Sequence, residues 1–321
     1  MKAIIRTIIV LALISTGYAA AQGYPNRPVN IIVGFPAGQS VDVIARLLAQ
    51  PLAQSLGQPF IVDNRPGAGG VIGATALINA APDGYTTMIG SSGPLSINPH
   101  LIKVPFDIQK SFAPVSMLAT LQYVLVTHPS FPAASAKELI TLVKASPGKY
   151  NFAGSGNGTT QHLAAELFKL NAGLDATFIP HAGSSAALTE LMSGRISYAF
   201  ETITTVLPLI QAGKLRALGV TSLKRSGQLP DVPTIAEVTG MTDYNVVAWV
   251  GLLVRAGTPA EVSTKLAAEV QKALKNNDLR ARFTALGMDP VSSTPAELAR
   301  VMHEASERFA DIIKRANIKL Q

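Results

Sequence analysis

From Val29 to about Thr239 the chain alternates short apolar runs with stretches whose apolar positions recur every three to four residues. Val29–Gly34 (VNIIVG) reads as a buried strand. Ser40–Leu56 reads as a helix with apolar residues at Val43, Leu47, Leu48 and Leu52. Pro59–Asp63 is a second strand, Val71–Ala80 a helix and Tyr85–Gly90 a third strand. The pattern resumes with strands over Tyr150–Ala153, Ala176–Ile179, Ile196–Phe200 and Leu215–Thr221. Between them lie helices over Thr159–Leu170, Ser185–Met192 and Thr204–Ala212. Such alternation predicts an α/β fold of parallel-rich sheets covered by helices. After Thr258 the pattern is wholly helical, over Pro259–Leu274 and Pro295–Ala316, each opening on a proline suited to a first helical turn.

Two extended stretches interrupt the alternation, Ala113–Thr127 (APVSMLATLQYVLVT) and Asn245–Val254 (NVVAWVGLLV), each long for one ordinary strand. One strand leaving a lobe and one returning would hinge a two-lobed protein. The first lobe is then residues 22–120 plus 247–321, and the second 121–246. A single large sheet is the alternative.

Composition adds a compartment. The 321 residues are 48% hydrophobic and 15% charged, which suits a globular chain with a sizeable core. Lys2 and Arg6, the apolar run Thr7–Ser15 and the small residues Ala19-Ala20-Ala21 predict an export leader over residues 1–21, cleaved before Gln22. No later run reaches the ~18 apolar residues of a spanning helix. A soluble periplasmic protein is expected. Cysteine is absent, which excludes disulfides, thiolate metal sites and a cysteine nucleophile. Formal net charge is +7, but the basic residues are scattered without interleaved aromatics, so nucleic acid is not an expected partner.

Open α/β sheets bind ligands where strands end and helices begin. Four such turns are rich in Gly, Ser and Thr: Phe35-Pro36-Ala37-Gly38-Gln39-Ser40, Ser91-Ser92-Gly93, Gly154-Ser155-Gly156-Asn157-Gly158-Thr159-Thr160 and His181-Ala182-Gly183-Ser184-Ser185. Glycine lets backbone N–H groups approach a ligand, hydroxyls add donors, and the following helix presents its positive end. A small carboxylate is what such turns attract. Each turn could instead serve only as a helix cap.

Enzyme signatures are not met. Gly67-Ala68-Gly69-Gly70-Val71-Ile72-Gly73 follows a strand, but Ile72 stands where the dinucleotide fingerprint needs its last glycine, and no acidic residue follows at the ribose distance. No G-x-S-x-G elbow surrounds Ser91, Ser92 or Ser155, and the zincin helix that His303-Glu304 would begin has Glu307 in place of its second histidine. The histidines His100, His128, His162, His181 and His303 have no ligand spacing. No catalytic residue, metal or cofactor is expected. The competing function is a hydrolase or lyase acting on a carboxylated substrate.

These turns sit within longer phrases: Tyr24-Pro25 and Arg27-Pro28, SVDVIAR over 40–46, DNRPGAGG over 63–70, Pro82-Asp83-Gly84-Tyr85, Ser111-Phe112-Ala113-Pro114-Val115, HLAAE over 162–166, GKLRAL over 213–218 and LPDVPTIAE over 229–237. In this order they resemble the Bug family, the substrate-binding proteins of tripartite tricarboxylate transporters. The resemblance implies a type II-like Venus flytrap. It would act as a monomer, bind a carboxylated solute between its lobes and deliver it to membrane permease subunits. It also implies that loops 35–40 and 154–160 hold the carboxylate and that Glu201 faces the cleft. Three positions depart from the family's usual residues: Ala37-Gly38-Gln39 for Pro-Gly-Gly, His181-Ala182-Gly183 for Tyr-Lys-Gly, and Glu201 for aspartate. They lie where the ligand is expected, so the resemblance does not name the solute. A dicarboxylate, an aromatic carboxylate and an acidic amino acid all remain open.

Side-chain roles follow. Ser155 and Thr159 are expected to capture the carboxylate or to cap the helix, and Ser40 to cap or to face the ligand. Asp42 is expected to complement the helix dipole. His181 would hydrogen-bond the solute, pair a second carboxylate when charged, or only bond to backbone at its strand end, and Glu201 would accept from a donor on the solute or end its strand in solvent. Arg65 and Arg195 are expected at the surface, and Trp249 in the core.

Overall fold

β1 (Val29–Val33) is buried at every position except Asn30, as an apolar run covered on both faces should be. The computed structural model, which describes residues 23–318, pairs β1 in parallel with β2 (Phe60–Asn64) and β3 (Thr86–Ser91). The expected leader, residues 1–21, lies outside the described residues. Helix α1 (Ser40–Leu56) connects β1 to β2 and buries Val41, Ile44, Leu47, Leu48 and Leu52. Helix α2 (Val71–Ile78) connects β2 to β3.

Beyond β3 the sheet turns antiparallel. β9 (Val247–Arg255) lies beside β3, and β4 (Phe112–Thr127) beside β9; the short β10 (Met288–Pro290) also pairs with β4. A second sheet holds β5 (Tyr150–Gly154), β6 (Ala176–Pro180) and β7 (Tyr198–Thr202) in parallel, with β7 and β8 (Arg216–Val220) antiparallel to β4.

β4 belongs to both sheets. Over Phe112–Gln122 it pairs with β9; over Tyr123–Thr127 it pairs with β7 and β8. The chain returns where the Val246 N–H donates to the Thr221 carbonyl (3.0 Å), one residue before β9 begins. One hydrogen-bonded strand order, β2-β1-β3-β9-β4-β7-β5-β6, therefore curls through both halves.

The helices of the second sheet are α3 (Ala136–Lys144), α4 (Thr160–Ala172), α5 (Ser184–Met192), α6 (Ile203–Gln211) and α7 (Ile235–Thr239). Helices α8 (Ala260–Lys275), α9 (Asn277–Ala285) and α10 (Pro295–Arg315) follow β9, and α8 and α10 pack against β4. Among the described residues no helix is long and apolar enough to cross a membrane.

The elements differ from the sequence reading at several ends. β7 starts two residues later than expected, because the Asn151 side chain accepts from the Ser197 N–H (2.9 Å) and donates to the Arg195 carbonyl (3.0 Å), holding that stretch as a turn. β9 starts at Val247 instead of Asn245, and α2 ends at Ile78 instead of Ala80. Helix α3 has no place in the expected alternation. Its sequence mark is Ser135, whose hydroxyl accepts from the Glu138 N–H (3.2 Å) to cap the first turn.

Candidate functional site

The turn after β1 is shaped by Asp42. This carboxylate is 2% exposed; it accepts from the Gly38 N–H (2.8 Å), Arg46 Nε (3.0 Å) and Asn64 Nδ2 (2.8 Å). Asn64 Nδ2 also donates to the Phe35 carbonyl. Burial pushes the Asp42 pKa up, but the hydrogen bonds from Arg46, Gly38 and Asn64 and the Arg46 charge outweigh it and hold the value below normal. Asp42 is thus an anchor for loop 35–40 as well as a partner of the helix dipole. Gln39 is the N-cap residue, without a side-chain capping bond. Ser40 is not the cap. It is buried, and its Oγ meets Thr202 Oγ1 of the second sheet at 2.7 Å; Thr202 Oγ1 in turn lies 2.8 Å from Thr205 Oγ1.

The turn after β3 divides its two serines. Ser92 is fully buried and its Oγ accepts from the Trp249 N–H (3.0 Å), tying β9 to this turn. Its hydroxyl fixes the fold, and Ser92 lines neither of the two cavities described below. Ser91 does line one. Trp249 is core, as expected, and its Nε1 donates to Ser96 Oγ.

In loop 154–160 Thr159 is the N-cap of α4. Its Oγ1 accepts from the His162 N–H (3.4 Å) and donates to the Gly156 carbonyl (2.8 Å), so the capping role is filled. The Ser155 hydroxyl is buried without a partner. The Gly158 N–H points to His162 Nδ1 (3.4 Å). His162 is stacked on Phe178 at 4.1 Å, and burial together with the Lys169 charge lowers its pKa to about 4; it is a neutral acceptor at pH 7.

The fourth turn meets the end of β7. His181 Nδ1 donates to the Ile179 carbonyl (2.9 Å). Ser184 Oγ donates to Glu201 Oε2 (2.8 Å). Glu201 is not a solvated strand end. It is fully buried, and Oε1 has no partner at hydrogen-bond geometry, although Gln161 and the Thr202 N–H lie near. Burial raises its pKa to about 7 against the lowering effect of those neighbours.

These turns line two neighbouring spaces. An inner cavity of about 30 Å³ is lined by Ser40 and Ser91 from the first sheet and by Thr159, Thr160, Gln161, Thr202 and Thr205 from the second, with Tyr123 of β4 between them. An outer groove of about 510 Å³ is lined by residues of loops 34–39 and 66–70 on one side and by Ser155, Gly156, Asn157 and the 180–183 turn on the other. Phe35 and Gln39 belong to both walls. Neither wall contains a lysine or arginine. Arg65 is paired with Asp63 and Arg195 with Glu190 at exposed positions, as expected. Among the described residues no three His, Asp or Glu side chains gather to hold a metal ion.

The sequence reading missed Tyr123, Gln161, Thr202 and Thr205. Thr202 and Thr205 follow the rule that found the other turns, since they sit where β7 passes into α6. They were missed because this turn, Glu201–Thr205, contains no glycine, unlike the four that were singled out. Tyr123 carried no signal, because its place depends on where β4 changes sheets. A larger cleft of about 680 Å³ lies between α4 and Ala316–Ile318, but its Glu166 and Lys169 satisfy each other at 2.7 Å.

Comparison with known proteins agrees with this geometry. A family model described as the tripartite tricarboxylate transporter family receptor matches residues 44–318. Protein BugT of Bordetella pertussis is 37% identical over 319 residues, covering 98% of both chains. The structure of the periplasmic binding protein BugD superposes with a TM-score of 0.87 at 32% identity, over 93% of this chain and 100% of that one. R. palustris Rpa4515 with adipate superposes with a TM-score of 0.88 at 32% identity, over 92% of this chain and 99% of that one.

Proposed function

The chain belongs to the tripartite tricarboxylate transporter receptor family, and from that premise we propose that it is a periplasmic, monomeric solute receptor that closes two lobes on a small organic carboxylate and delivers it to membrane permease subunits. The observation that carries this reading is the convergence of Ser40, Thr160, Thr202 and Thr205 from two sheets on one small cavity without a fixed cation. An anion there is met by neutral donors and by the starts of α1, α4 and α6. Similarity to Rpa4515 with adipate supports the carboxylate class. Domain closure about β4 and β9 brings donors of both lobes to one anion with little change inside either.

No nucleophile joined to a base lies in either wall, which supports a binder over a hydrolase or lyase. Titrating the mature protein with adipate, benzoate and glutamate, and then assaying each mixture for product, tests this. Binding of at least one acid without turnover is expected. Catalytic turnover, or no binding by any of them, would refute it. Delivery is tested by uptake of the bound acid into cells carrying the permease, with and without the receptor.

Ser40→Ala removes the hydroxyl that spans the lobes. A hydrogen bond to a charged group contributes roughly 1.5–3 kcal/mol, so affinity for every carboxylate should fall about tenfold or more. Isothermal calorimetry reads this directly, and an unchanged Kd for two different acids would remove Ser40 from the site.

A further inference from the structure

We infer that this protein binds its carboxylate together with a proton on Glu201, so that affinity is highest while Glu201 is protonated and falls as Glu201 ionises. This rests on the carboxylate-capture reading and adds a proton to it.

Glu201 is not in the wall of the inner cavity, but its neighbours are. Gln161, in the first turn of α4, lies beside its carboxyl, and Thr202 follows it in β7; both line the cavity. Ser184, the first residue of α5, donates to Oε2 at 2.8 Å. One carboxyl at the end of β7 thus meets the starts of two helices, next to the place where the solute anion sits.

This carboxyl is fully buried, and its Oε1 has no hydrogen-bond partner. Among the described residues no cation pairs with it. A carboxylate held so is costly in its ionised form and stable as the neutral acid. Burial accordingly raises its pKa to about 7, against the lowering effect of Ser184, Gln161 and the Thr202 N–H. The other groups packed here carry no charge near neutral pH. Tyr123 faces it from β4 with a pKa raised by burial, α4 offers the Gln161 amide, and α5 the Ser184 hydroxyl. His162, the next residue of α4, is stacked on Phe178 and neutral.

The charge beside the cavity is therefore set by one proton. A solute carboxylate in the cavity is a like charge, which raises the Glu201 pKa further. By reciprocity an ionised Glu201 weakens the anion by the same factor. Well below pH 7 Glu201 is neutral with and without solute, and affinity is at its plateau. As pH rises through about 7 the free protein loses its proton first. Binding must then restore that proton, and affinity falls. In the outer groove Gln39, Asn157 and the glycine N–H groups do not titrate and add no slope. His181 would give a slope of the same sign, because a charged imidazole attracts an anion at low pH.

Calorimetric titration of the mature protein, with whichever of adipate, benzoate and glutamate binds, separates the two. The parent should bind about tenfold more weakly at pH 8.5 than at pH 6, a range in which ordinary carboxylates stay ionised. At pH 7.5, titrations in two buffers of different ionisation enthalpy should show net proton uptake on binding. Glu201→Gln should flatten the pH dependence and abolish the uptake. His181→Gln, whatever its own affinity, should keep both. A parent Kd that stays within threefold from pH 6 to 8.5, without proton uptake, would overturn the inference and leave carboxylate capture standing. So would a slope that survives Glu201→Gln and disappears in His181→Gln. If Glu201→Gln does not fold, loss of slope and uptake in His181→Gln alone still refutes it, and their persistence there supports it. Failure of all three acids to bind at either pH would bring down the capture reading and this one together.

Discussion

Gly158→Ala is expected to lower ligand affinity about a hundredfold or more while the protein stays folded. Gly158 has a φ of 69°, a left-handed conformation that costs a residue with a Cβ roughly 1 kcal/mol. The larger effect lies across the cleft. A Cβ at this position would overlap Asn98 Oδ1, on the far side of the interface. Asn98 cannot swing aside freely, because it is 1% exposed and its Nδ2 donates to the Gly69 carbonyl at 3.2 Å. The clash exists only while loop 154–160 sits against the first lobe, so the substitution penalises closure far more than folding. A closure penalty of about 3 kcal/mol translates into roughly a hundredfold in apparent affinity. Calorimetry should show that loss, with a melting midpoint lowered by only a few degrees. Adding Asn98→Ala removes the obstructing atom and should restore part of the binding. An affinity within threefold of the parent would mean that these loops do not close on each other in the bound state.

Glu201→Gln is expected to gain stability relative to the parent as pH rises from 5 to above 7. Burial raises the folded-state pKa of Glu201 from the ordinary 4.5 to about 7. Between those values the folded state holds a proton that the unfolded chain has released. The native state is therefore favoured at low pH and loses stability as pH rises through about 7, where the curve levels off. The loss amounts to about 3 kcal/mol, in the presence of Tyr123, the neighbouring titratable group whose own pKa is raised by burial and, to a lesser extent, by this carboxylate. Glutamine keeps an acceptor for the Ser184 hydroxyl and does not ionise. It also places an amide where Oε1 lacks a partner, a penalty that does not vary with pH. The diagnostic quantity is thus the change in the stability difference between pH 5 and pH 8, read by urea unfolding at each pH. A difference that stays flat across that range would show that Glu201 ionises normally in the folded protein.

Both effects arise from contacts between lobes or beneath the cleft, and this marks how far the sequence could be read. Buried apolar runs must become strands and period-3.6 stretches must become helices, so the order of elements around β1 to β3 and β5 to β8 was legible from local pattern. So were the turns at their ends, because glycine and hydroxyl residues there have few other uses. The lengths of Ala113–Thr127 and Asn245–Val254 were visible too, since no ordinary strand needs so many extended residues.

What each side chain in those turns does was settled elsewhere in the chain. Ser40 and Thr202 are 162 positions apart, and only folding puts their hydroxyls at 2.7 Å. Thr159 and Ser92 look alike as donors in the sequence, yet one is taken by a helix N-terminus and the other by the backbone of β9. Glu201 reads as a polar residue ending a strand. Its raised pKa exists because burial beside the neighbouring strand β4 excludes water from it, against the lowering effect of the Ser184 hydrogen bond. Local pattern dictates which backbone conformation a segment adopts. Desolvation and pairing are set by what packs against that segment from distant parts of the chain, and in this protein those partners arrive only when β4 passes from one sheet to the other at Gln122 and Tyr123.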